Sequence, residues 1–159
     1  MAQINISPGG VPKLPISAAS VHSLGIAGDD HAHKKYHGGP NKALLLLAAE
    51  VIDQLSREGW PLFYGAPGEN LTTRGIDHRL WRPGQQFRAG AVTLQLTTPR
   101  QPCATLSRYG GGIQQRIFDS RINNLESTSP HWGMSGFYAS VLDPGTIRSL
   151  DIIEIIDPS

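Results

Sequence analysis

Cys103 is the single cysteine of the chain and stands in Arg100-Gln101-Pro102-Cys103, directly after an apolar run. A lone thiol has no internal disulfide partner, so packing, reactivity or ligation must account for it. Thiolate is a nucleophile and a soft metal ligand, and the nearby Arg100 guanidinium favours that charged form. The competing explanation is a small buried hydrophobe, as free cysteines often are. A second set of reactive types is Asp29, Asp30, His31 and His33, with His37 beyond. Acid and imidazole groups this close can hold a first-row metal, although their spacing matches no zinc signature. His37-Gly38-Gly39 lets backbone amides approach a ligand and form an anion-binding concavity, or makes an ordinary turn. In Gly68-Glu69-Asn70, Glu69 can cap or orient its own loop, and Asn70 can donate to a ligand oxygen or ring nitrogen. A Cys–His dyad would pair Cys103 with His37 or His131. Nucleophile elbow, Walker loop and dinucleotide fingerprint are all missing, which removes the familiar hydrolase and nucleotide-binding motifs.

The elements that must position these residues are short and heavily punctuated. Eighteen glycines and twelve prolines are spread along 159 residues, the texture of a barrel or sandwich with many turns. Ile4 and Ile6 alternate with polar residues as a first strand, and 15–21 extends the sheet. The run 43–47 is apolar throughout and reads as a buried strand. It passes into a helix over 48–58, where Ala48, Val51, Ile52 and Leu55 follow helical spacing and Gly59 is the stop. Gly65-Ala66-Pro67-Gly68 forces a turn. Residues 87–98 make two strands broken at Ala89-Gly90, with Val92, Leu94 and Leu96 facing inward, so Arg100 to Cys103 lies at a strand end. A helical pattern runs from Ile113 to Asn124. Two last strands, 136–142 and 152–156, are joined by a turn at Asp143-Pro144-Gly145.

Bulk properties narrow the function. A net charge of +1 gives no electrostatic case for binding a nucleic-acid polymer or an anionic membrane. The longest apolar run, 43–49, is too short to span a bilayer. With one cysteine and no basic and apolar leader at 1–5, a reducing cytoplasm is the expected location. The length fits one domain over 1–159.

The ordered set Pro8-Gly9-Gly10, Gly25-Ile26-Ala27-Gly28-Asp29, His37-Gly38-Gly39-Pro40, Gly68-Glu69-Asn70-Leu71, Gly75-Ile76-Asp77 and Pro99-Arg100-Gln101-Pro102-Cys103 resembles the MOSC domain, named for the C-terminal part of molybdenum cofactor sulfurases. Ser135-Gly136-Phe137-Tyr138 and Val141-Leu142-Asp143-Pro144-Gly145 also resemble its short bacterial form. The resemblance implies a mainly β fold with peripheral helices, a closed β-barrel similar to the barrel domain of pyruvate kinase. It implies that Cys103 ligates the metal of a molybdenum cofactor, beside the dithiolene sulfurs of the pterin. It further implies an oxidoreductase reducing N-hydroxylated or N-oxygenated small molecules such as hydroxylamino purines and amidoximes. Arg100 would favour the thiolate or pair with the cofactor phosphate. His37, Gly38 and Gly39 would help form the pterin or phosphate cradle, and Asn70 would bond the pterin or orient its loop. With no cysteine set for an iron–sulfur centre and no flavin motif, a reductase of this kind needs a separate electron-donor protein. One alternative is a sulfur carrier or cofactor-handling protein with a persulfide on Cys103. Another is a noncatalytic binding module for a phosphorylated small molecule.

Overall fold

The computed structural model describes residues 1–30 and 38–156. Its strands are β1 (Gln3–Ile6), β2 (Leu14–Ile16), β3 (Ala18–His22), β4 (Gly25–Ile26), β5 (Leu44–Ala48), β6 (Leu71–Thr73), β7 (Gln86–Ala89), β8 (Val92–Pro99), β9 (Phe137–Asp143), β10 (Gly145–Arg148) and β11 (Ile153–Ile156). The helices are α1 (Ala49–Arg57), α2 (Ile113–Ile117) and α3 (Ser120–Asn123).

Strand β5 is buried along its whole length and sits between β9, antiparallel, and β6, parallel. A strand covered on both faces tolerates no polar alternation, which is why 44–48 is uniformly apolar. Helix α1 follows without a break and buries Ala49, Val51, Ile52 and Leu55. Strand β8 alternates, with Val92, Leu94 and Leu96 buried. Around them Trp81, Phe87, Trp132 and Phe137 pack edge to face at centroid separations of 5.5–6.1 Å, an arrangement that aromatic quadrupoles favour. The buried apolar residues form a continuous cluster from Ile4 to Ile153.

The expectation of a mainly β chain with a few helices is met, but the closed barrel is not. Eight strands form one sheet in the order β11-β7-β8-β9-β5-β6-β1-β2, and β10-β3-β4 form a second. No ladder among the described residues joins β11 to β2. Strand β2 is three residues long with Pro15 at its centre, and proline donates nothing to a further neighbour, so it ends the sheet. The chain then re-pairs β3 with β10 instead of continuing the first ladder. The Ala91 amide in the turn between β7 and β8 donates to the Thr146 carbonyl of β10 (3.4 Å), a backbone bond between the two sheets.

Two other expectations change. The helix expected over 113–124 is two short helices. Phe118 is extended and Asp119 caps α3 by accepting from the Arg121 amide at 2.9 Å. The turn at 143–145 leads into a strand of its own, β10, before β11.

Candidate functional site

The register of the central strands builds the site. Leu45 of β5 pairs with Tyr138 of β9, and Pro99 at the end of β8 pairs with Phe137. Arg100 therefore emerges beside Tyr138, its amide bonded to the Gly136 carbonyl at 2.9 Å. Leu45, Tyr138 and Arg100 line one cavity, together with Cys103 and Thr105 from the segment after β8. Pro67, Gly68 and Asn70 contribute from the loop before β6; Gly10, Val11, Lys13, Asp30 and Lys42 complete the lining.

Cys103 is half-exposed, with its Sγ 2.6 Å from the Thr105 hydroxyl. The ammonium of Lys42 lies 5.0 Å above the Tyr138 ring, a cation–π distance. Burial pushes the Tyr138 phenol up; the charge and hydrogen bond of Arg100 oppose this, while Cys103 adds to it. The phenol thus senses both the guanidinium and the thiol.

Arg100 is buried, at 3% exposure, and a buried guanidinium must find acceptors. It donates to the Pro67 carbonyl and to Ser135 Oγ at 3.4 Å. The same loop is gripped from below by Glu69, whose Oε1 accepts from the Gly65 amide and the Thr72 hydroxyl, each at 2.7 Å. Burial pushes the Glu69 carboxyl up to about 7; the Thr72 and Gly65 hydrogen bonds and the Arg100 charge hold it back. The loop needs glycine at both ends. Gly65 has φ +95°, and a Cβ there would stand 2.1 Å from the Lys13 carbonyl oxygen. A Cβ on Gly68, φ +98°, would meet Val11 at 2.9 Å and approach Arg100 at 3.6 Å.

Asn70 is the splice of the floor. Its Oδ1 accepts from the Leu45 amide (3.1 Å), and its Nδ2 donates to the Asn5 carbonyl (3.2 Å) and Asp29 Oδ2 (2.9 Å). Asp29 Oδ1 in turn accepts from Lys13 Nζ at 2.6 Å and the Ser7 amide at 2.9 Å. Both ions of this pair are buried, so the network is committed to structure.

The sequence pattern of the MOSC domain matches residues 33–154. The chain belongs to the MOSC domain family. Protein YiiM of Escherichia coli (strain K12) is 30% identical over 94% of this chain and 64% of its own length. YflK of Bacillus subtilis (strain 168) is 32% identical over 92% of this chain and 63% of its own. The chain thus spans less than two thirds of either relative. The crystal structure of E. coli YiiM superposes with a TM-score of 0.70 at 23% identity, covering 99% of this chain and 69% of that one, and shares the fold.

Within this MOSC domain, the structure brings Cys103, Arg100 and Asn70 to one cavity. Gly38 and Gly39 have φ of +90° and +83° but do not line it; they precede the turn at 40–42 that delivers Lys42. His37, like His31 and His33, lies outside the described residues. His131 lines a separate groove with His78 and Glu50, not the thiol's cavity. Among the described residues no three His, Cys, Asp or Glu side chains cluster as a metal site. None of the described helices is long and apolar enough to cross a membrane. Sequence reasoning missed Lys42, Lys13 and Thr105 as lining residues. Lys42 follows the glycine pair closely, which is the one signal that pointed to it.

Proposed function

We propose that this MOSC domain binds molybdenum cofactor through Cys103 and acts as an oxidoreductase on N-hydroxylated or N-oxygenated small molecules. The observation that carries this reading is a half-exposed thiol at a cavity that also presents Arg100 and Lys42. The residues fit that group. One thiol and no cluster of further protein ligands, among the described residues, suits a metal that arrives with its own dithiolene sulfurs. The cavity pairs an apolar wall with two cations, Arg100 and Lys42, and two cations suit a phosphate. Gly68 leaves open the space that a Cβ would fill against Val11.

Bound there, the cofactor supplies two-electron oxygen-atom chemistry, with electrons from a separate donor protein. The chain supplies the rest. Cys103 would ligate the metal as thiolate at the cavity it shares with Arg100. Arg100 and Lys42 bind and orient the anionic portion of the cofactor. Tyr138, whose proton burial helps to retain, stands beside them as a hydroxyl donor to a ligand oxygen. Val11, Leu45 and Pro67 give the cavity its apolar wall.

Elemental and pterin analysis of protein produced in a molybdenum-replete, cofactor-competent host tests the reading. Molybdenum is expected near one equivalent per chain, and Cys103→Ser should lose it while remaining folded. Absence of both metal and pterin under verified loading conditions sinks the proposal. A sulfur-carrier role draws support from the half-exposed thiol next to the Thr105 hydroxyl. It predicts a one-sulfur adduct on Cys103 in mass spectra taken without reductant.

A further inference from the structure

Pro67 and Gly68 form part of the cavity wall, and their loop is gripped at two points by groups of opposite charge. Glu69 Oε1 takes the Gly65 amide and the Thr72 hydroxyl, and Arg100 donates to the Pro67 carbonyl. Glu69 has no exposed surface and does not line the cavity; Arg100 does. Glu69 Oε2 is buried with no hydrogen-bond partner among the described residues, so nothing fixes that oxygen as ionised or protonated. The charged and titratable groups acting on this carboxyl are Arg100, from the segment after β8, and Tyr109, from the turn at 104–109. Its other polar partners are neutral: the Thr72 hydroxyl of β6, the Gly65 amide and the amide of Glu69 itself.

We infer that Glu69 is a positioning residue acting through Arg100: ionised, it offsets the guanidinium charge; protonated, it leaves that charge to the cavity, so one buried proton sets how strongly the site attracts an anionic ligand. This rests on the reading that the cavity takes an anion. Burial holds the carboxyl near neutrality, at about 7, which places the switch in the working range of pH. Anion attraction is greater on the acid side of that value and weaker on the alkaline side.

Cys103, the only cysteine, reports the field in the cavity without any cofactor. Its alkylation by iodoacetate and by iodoacetamide uses the same thiolate, so the ratio of the two rates cancels thiol ionisation and reads the potential felt by an anion. In wild-type apoprotein the ratio should fall about two- to threefold between about pH 6 and about pH 8, the order expected of one unit charge acting across a partly solvated cavity. In Glu69→Gln that part of the fall should vanish, leaving only the change common to both proteins. Histidine titration is common to both proteins and drops out of the comparison. A merely structural role would move both rates together and leave the ratio's pH profile unchanged. Identical profiles in wild type and Glu69→Gln overturn the inference. Should that variant not fold, carbon-13 NMR of the wild-type glutamate carboxyls decides: a buried carboxyl titrating near 7 and sensitive to Arg100→Met supports it, and none above the ordinary range refutes it. Failure of the cofactor reading would show as protein without molybdenum or pterin, with this ratio switch intact.

Discussion

Replacing Glu69 by Gln should change the pH dependence of folding in a calculable way. The carboxyl has an ordinary value of 4.5 and is pushed up to about 7 in the folded protein, chiefly by burial. A raised folded value means that the folded chain binds the proton more tightly than the unfolded one. The associated stability is therefore fully present below pH 4.5 and is lost as pH rises through 7. The gap between 4.5 and about 7, at about 1.4 kcal/mol per unit, amounts to about 3 kcal/mol. Glutamine keeps the two bonds at Oε1 but puts an unpartnered N–H₂ where Oε2 lies, a pH-independent cost of about 1–3 kcal/mol. The test is urea denaturation of both proteins at pH steps across the range, plotted as variant minus wild type. The difference should be flat below 4.5, shift by about 3 kcal/mol in favour of the variant up to about 7, and then level off. Parallel stability curves throughout would refute the reasoning, because they would show that Glu69 carries the same charge in both states.

Lys13→Met should destabilise by about 3–5 kcal/mol in the same assay, since it strands Asp29 as a buried charge; pairing it with Asp29→Asn should recover a large part. Gly65→Ala should cost about 2 kcal/mol or more, because positive φ and contact with the Lys13 carbonyl oppose a Cβ together. Cys103→Ser should shift urea stability by less than about 1 kcal/mol, since the half-exposed thiol is not core packing.

The sheet was readable where one periodicity ruled. The apolar block that becomes β5 and the helical spacing of α1 abut without a break, and the alternation of Val92, Leu94 and Leu96 names the buried face of β8. Closure was not readable, because it depends on which edge accepts which partner. Pro15 ends the ladder at β2, and β3 takes β10 instead, a strand whose Thr146 and Ile147 are too few to show alternation. The single helix expected over 113–124 failed for a local reason. Ile113 and Ile117 share one helical face, but a single continuous helix would turn Ile122 to the opposite side; the break at Phe118, with Asp119 accepting from the Arg121 amide to start a second helix, lets all three be buried.

At the site, what was legible depended on distance in the chain. Arg100 and Cys103 are three residues apart at a strand end, and proximity in sequence is proximity in space. Tyr138 reaches them only through the register that sets Leu45 against Tyr138 and Pro99 against Phe137, a fact of pairing rather than of composition. Lys13 reads as a surface lysine in any window of the sequence; what pairs it in the interior is Asp29, sixteen residues on, itself held by the amide of Asn70. Asn70 shows the same limit from the other side. Residue type alone makes it a ligand donor, but both of its N–H groups are already spent on Asn5 and Asp29. Only the unused lone pair on Oδ1 faces recruitment. Its contribution to a bound ligand is therefore made by acceptance, or by holding Leu45 and the loop of Gly68 in place, and not by donation.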